Sequence, residues 1–193
     1  MTAVAVVLFD GVEELDWVGP WEVLSTWAQG WPDDGASVFT VAGHDGVLRC
    51  AKGARVLADH TWEEAPPFDV VVWPGGRGTR AQLGDEAVRG RVRQAAAAGT
   101  LMTSVCTGAL VYADAGLLDG QRATTHWASL DDLVALGQGI EARPDDRVVD
   151  DGQVVTAAGV SAGIDMALHL VARLHSPERR AQVARHIQYD AHQ

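Results

Sequence analysis

Short unbroken apolar runs alternate with helix-period segments along this chain. Residues 3–9 (AVAVVLF) stop at Asp10-Gly11 and read as a strand buried on both faces. A helix is expected from about Asp16, with Leu15, Val18, Val23, Leu24 and Trp27 on its inner side. Pro20 falls early enough in it to be tolerated near a helix start. Residues 37–42 (SVFTVA) predict a second strand, and 44–58 carry turn signals and short strand-like pieces suited to a hairpin. The run at 68–76 (FDVVVWPGG) is a buried strand halted by Pro74-Gly75-Gly76.

The second half continues the alternation. Residues 85–98 predict a helix closed by Gly99, 100–105 a strand and 107–115 a helix. A short strand is expected at 122–124 and a helix from Ser129 to Leu136, which Gly137 ends. Residues 140–157 read as strand, turn at Asp150-Asp151-Gly152, and strand; 161–174 and 178–189 read as helices. No repeat, low-complexity tract or linker interrupts this, so residues 1–193 are expected to form a single domain. The order implies an α/β three-layer sandwich, with a mostly parallel sheet and helices on both faces. Ligands in such sheets gather at the carboxyl ends of the strands, which here offers the loops 10–16, 74–79 and 106–108.

Composition narrows the partners. Fifteen basic against 26 acidic residues give a formal charge of −11, which argues against nucleic acid. No apolar run is long enough to span a bilayer, and Val4 to Phe9 is too short for a signal-peptide core; a cytoplasmic protein without membrane attachment is expected. The two cysteines, Cys50 and Cys106, form no CxxC pair and are expected to be free thiols; no His cluster has zinc spacing.

Candidate chemistry centres on "SVCTGAL", residues 104–110. A cysteine at an abrupt strand-to-helix joint is exposed above the sheet, like the nucleophile of many hydrolases. The following helix start favours thiolate, and the Thr107 and Gly108 backbone N–H groups could hold developing charge. Gly108 would also let that helix pass close to the neighbouring strand. Cys50 lacks such a turn and reads as a small packing residue. Asp16, between Leu15 and Trp17, would have a raised pKa if buried, although N-capping is the simpler role for an isolated Asp there. The Pro74–Gly76 loop offers unhindered backbone N–H groups, and His126, in "TTHW", is a second-tier candidate.

The segments "VAVVLFDGVEELDWVGPWEVL", "FDVVVWPGG", "SVCTGALVYADAGLLDGQRATTHW" and "TAAGVSAGIDMALHLV", in this order, resemble the ThiJ/PfpI superfamily. The resemblance implies the flavodoxin-like, class I glutamine amidotransferase-like fold. Within the superfamily the sequence looks most like the isocyanide hydratases and nearly as much like the sensor half of AraC-type regulators. Because the sequence runs to Gln193, a regulator's helix-turn-helix region is not expected. Relatives that hydrolyse amides place a histidine beside the nucleophile or in a later His-x-Glu pair, whereas Thr107 follows Cys106 here and no such pair occurs. Glyoxal-handling relatives place glutamate where this chain has Asp16.

The resemblance to isocyanide hydratases implies Cys106 as nucleophile, Asp16 as general acid/base, and Thr107 and Gly76 as groups that orient water or stabilise charge. Gly75, His126 and an apolar wall of Trp17, Trp73 and Trp127 would complete the substrate site, each tryptophan being as readily an ordinary core aromatic. It implies a small-molecule substrate and a homodimer, with the segment Trp17 to Trp31 as an apolar patch; no cofactor and no metal are expected. Another cysteine-dependent enzyme of the superfamily, or a non-catalytic sensor, remain the alternatives.

Overall fold

The structure is a computed structural model that describes residues 1–190. Eleven strands are defined among them: β1 (Thr2–Leu8), β2 (Ala36–Ala42), β3 (Leu48–Arg49), β4 (Arg55–Val56), β5 (His60–Thr61), β6 (Val70–Trp73), β7 (Leu101–Val105), β8 (Arg122–Ala123), β9 (Glu141–Ala142), β10 (Val148–Asp150) and β11 (Val154–Ala157). The helices are α1 (Glu14–Gly30), α2 (Glu86–Ala97), α3 (Gly108–Asp114), α4 (Leu130–Leu136), α5 (Ala162–Leu174) and α6 (Pro177–His186). Seven strands form one sheet in the order β10-β11-β7-β6-β1-β2-β5, parallel throughout except for the β10–β11 pair. β3 and β4 make the hairpin expected within 44–58, and β8 and β9 pair separately.

Alternation along the central strands builds two cores. Val4, Val6, Val70, Val72, Leu101 and Val105 face a layer made by α1, α5 and α6. Ala5, Val7, Val71, Trp73 and Met102 face the opposite layer, which includes α2, α3 and α4. A strand covered on both sides must be apolar at odd and even positions alike, as the unbroken runs are. The result is the three-layer sandwich that the order of elements implies.

α1 buries Val23, Leu24 and Trp27 as expected but departs from its expected face in the first turns. It begins at Glu14, and Leu15 and Val18 are 37% and 38% exposed. The buried stripe is Asp16, Gly19, Pro20, Val23, Leu24 and Trp27. A Cβ on Gly19 would come within 3.0 Å of the Ile164 side chain, so the missing side chain is what lets α5 approach. Pro20 lies inside α1, beyond its first turn, and has no N–H to give the Asp16 carbonyl.

The far end of α1 is latched to the last helix. Asp34, in a short 3-10 turn after α1, accepts from the Trp27 indole N–H (2.7 Å) and from Nε and Nη2 of Arg179 (2.6 and 3.0 Å). His175 Nε2 lies 3.1 Å from the same carboxylate. The Arg179 hydrogen bonds, foremost among these contacts, hold the Asp34 carboxyl below the usual range. Among the described residues, no helix is long and apolar enough to cross a membrane.

Candidate active site

Cys106 sits where β7 ends and the chain turns into α3. Its backbone is left-handed (φ 56°), a conformation that costs a non-glycine residue energy and lifts the side chain out of the strand line. Surrounding bonds hold this turn in place. Thr125 Oγ1 donates to the Cys106 carbonyl at 2.7 Å, and the Cys106 N–H donates to the carbonyls of Ala157 and Ala158. α3 can leave at this angle only because residue 108 is glycine. A Cβ there would lie 2.0 Å from the Trp73 carbonyl oxygen.

Asp16 reaches the thiol from the first turn of α1, completely buried. It caps nothing. Its Oδ2 accepts from the Gly75 N–H at 2.9 Å, and its Oδ1 meets no hydrogen-bonding partner among the described residues. Burial pushes this carboxyl from the ordinary 3.8 up to about 7, against the pull of the Gly75 N–H and the Cys106 thiol. Burial, followed by the Asp16 charge, pushes the thiol up to about 12, although the Thr107 and Val160 N–H groups favour the thiolate. The helix start therefore does not by itself supply a standing thiolate. α3 has only seven residues, and desolvation of the sulfur outweighs its dipole. Above about pH 7 an ionised Asp16 carboxylate therefore faces a neutral Cys106 thiol.

The Pro74–Gly76 loop is clamped to the elbow through Thr107. The Gly76 N–H donates to Thr107 Oγ1 (3.0 Å), which also lies 3.1 Å from Thr79 Oγ1. Thr107 thus spends its hydroxyl on the loop, leaving its N–H for the sulfur. Gly75 is held tightly: a Cβ on it would meet Thr107 N and Oγ1 at 2.5 Å and Asp16 Oδ2 at 3.0 Å.

Above the sulfur lies a cavity of about 220 Å³. Gly76, Thr107 and Val160 form part of its wall, and Glu13, Arg80, His126 and Ser129 add polar groups. His126 Nδ1 accepts the Ala128 N–H at 3.2 Å, which leaves Nε2 as the ring nitrogen that carries a hydrogen to donate. The tryptophan wall is not built. Trp73 follows Val72 on the strand and so points to the opposite face of the sheet. There it stacks on Trp62 at 5.8 Å, meets Tyr112 edge-on and donates to Gln82. The Trp17 indole N–H faces Cys50 rather than Cys106. Trp127 is 77% exposed and leans on the His126 ring at 5.5 Å without lining the cavity.

Sequence reasoning missed Val160, Glu13, Arg80, Ser129 and Thr79. The segment "AAGVSAG" carries a signal in retrospect: Val160 has φ 51°, a severe conformation for a β-branched residue, and it turns its N–H to the sulfur. Nothing local marks Arg80 or Ser129, which meet only through the fold. Among the described residues, no three His, Cys, Asp or Glu side chains gather as metal ligands would.

This sandwich, with a cysteine on a left-handed elbow facing a buried acid, defines a class. Residues 2–173 match the DJ-1/PfpI family, and the chain belongs to it. It is 39% identical over 183 residues to the isonitrile hydratase of Pseudomonas putida, an alignment covering 95% of this chain and 76% of that one. Protein dj-1beta of Drosophila melanogaster is 28% identical over 185 residues, 93% of each chain. A solved ThiJ/PfpI family protein from Pseudomonas syringae superposes with a TM-score of 0.85 at 29% identity, covering 100% of this chain and 76% of that one.

Proposed function

We propose that this chain is an isocyanide hydratase, converting R–NC and water to the formamide R–NH–CHO. The observation that carries the reading is the Cys106–Asp16 pair, in which a carboxyl poised at about 7 faces a neutral thiol. The similarity to an isonitrile hydratase over most of the chain supports it. Such an acid is partly ionised near neutrality, so it can take the thiol proton as the C–S bond forms and then return it.

In the first half-reaction, Cys106 Sγ bonds to the terminal isocyanide carbon while ionised Asp16 takes the thiol proton. Protonated Asp16 delivers that proton to the same carbon, giving the thioimidate R–N=CH–S–Cys106. Water then adds across C=N, with its oxygen on carbon and a proton on nitrogen. Cleavage of the C–S bond releases R–NH–CHO and restores the thiol, with Asp16 handling the protons. The N–H groups of Thr107 and Val160 favour negative charge on the departing sulfur.

Purified protein should convert n-butyl isocyanide to N-butylformamide, with kcat/KM rising as pH passes about 7 and Asp16 ionises. Cys106→Ala and Asp16→Ala should each lower turnover about a thousandfold or more. Full turnover by Cys106→Ala would overturn the mechanism. Consumption of methylglyoxal with no formamide produced would place the chain among glyoxal-handling relatives instead.

The same reading includes a homodimer. Leu15 and Val18, one turn apart on α1 and both exposed, are its apolar support.

A further inference from the structure

The cavity over Cys106 is not the greasy slot that an unfunctionalised alkyl isocyanide would favour, because the three tryptophans expected to line it lie elsewhere. Its polar lining is biased towards hydrogen-bond donors. Arg80 stands at the rim on the 3-10 turn Arg77–Gln82, which the Thr79–Thr107 hydroxyl contact ties to the elbow. The turn that carries Arg80 is therefore tied to the strand-to-helix elbow.

Arg80 uses one nitrogen for its neighbours. Nη2 donates to Ser129 Oγ at 3.1 Å and to Asp132 Oδ2 at 3.0 Å. Nε and Nη1 make no hydrogen bond among the described residues. Ser129, accepting from Arg80, keeps its own O–H to donate, and the His126 Nε2–H is a further donor. The two carboxylates nearest this rim are both ion-paired, Glu13 with Lys52 and Asp132 with Arg80 itself. The free N–H groups of Arg80 Nε and Nη1, the Ser129 hydroxyl and the His126 N–H are separate donors, which suits an anion whose two oxygens accept from different groups.

Building on the hydratase reading, we propose that the substrates are small isocyanides whose substituent ends in a carboxylate, and that Arg80 selects for that group. The isocyanide carbon goes to Cys106 Sγ and the carboxylate to the Arg80–Ser129 rim. Asp132 orients Arg80 from its solvent side.

The test compares kcat/KM for isocyanoacetate and 3-isocyanopropanoate with that for n-propyl isocyanide, read as formamide formed. The better carboxylate substrate should exceed the neutral one by about tenfold or more, the scale of a hydrogen bond to a charged group. Arg80→Gln should bring that ratio to within about twofold of unity. Arg80→Lys should keep part of it, since lysine supplies charge with fewer fixed donors. A merely structural Arg80 would lower turnover of both substrates and leave their ratio intact, and that result would overturn the proposal. So would a wild-type ratio of one or less. Failure of the wild-type protein to turn over any isocyanide would overturn the hydratase reading as well, whereas equal turnover of charged and neutral isocyanides would overturn only the assignment of Arg80.

Discussion

Asp16 shows how one side chain can be costly to the fold and useful to the site. Its carboxyl is raised from 3.8 to about 7, so folding favours the protonated form. The folded protein is therefore penalised progressively as pH climbs from about 4 to about 7. Integrated over that window, the penalty is on the order of 4 kcal/mol. Asp16→Asn keeps an acceptor for the Gly75 N–H without the charge. In urea titrations it should gain several kcal/mol on the wild type between pH 4 and pH 8, and parallel pH curves would refute this. Asp16 stands out in the sequence as an acid among apolar residues. Its burial does not, because that depends on α5 and the Gly75 loop meeting over it. The same holds for Arg80, whose neighbours Ser129 and Cys106 are brought to it by the fold alone.

At the scale of elements, the abrupt passage from β7 to α3 is written in the apolar run 100–105 and the Cys-Thr-Gly that follows it. The glycine is the most exacting part. A methyl group at residue 108 would stand 2.0 Å from the Trp73 carbonyl, against backbone that cannot swing away. Gly108→Ala should destabilise the protein by about 1–3 kcal/mol through overcrowding. It should also slow alkylation of Cys106 by iodoacetamide relative to a surface control such as Gly90→Ala, whose Cβ would meet nothing within 4 Å. Equal stability of the two variants would refute the close-approach argument. Periodicity located α1 and its inner residues Val23, Leu24 and Trp27, but misjudged its start, where Asp16 and Gly19 are buried rather than Leu15 and Val18. It also missed β5, two residues long, which joins the sheet by pairing with β2 rather than through a pattern of its own.

For the whole molecule, the formal charge of −11 works against self-association through polar faces, so contact between copies has to rest on apolar ground. Sedimentation velocity should report a dimer at micromolar concentration, and the double substitution Leu15→Asp with Val18→Asp should shift it to monomer. A monomeric wild type would remove the dimer from the reading. The latch on Asp34 bears on how the molecule comes into being. Arg179 lies 145 residues further along the chain, so at a ribosome adding ~15 residues per second roughly ten seconds separate the two partners. For that interval Asp34 has only the Trp27 N–H and water as partners. The first half of the sheet can assemble early, but the seam between α1 and α6 closes only when synthesis is nearly over, and a ribosome stalled before residue 179 would hold a protein with that seam open.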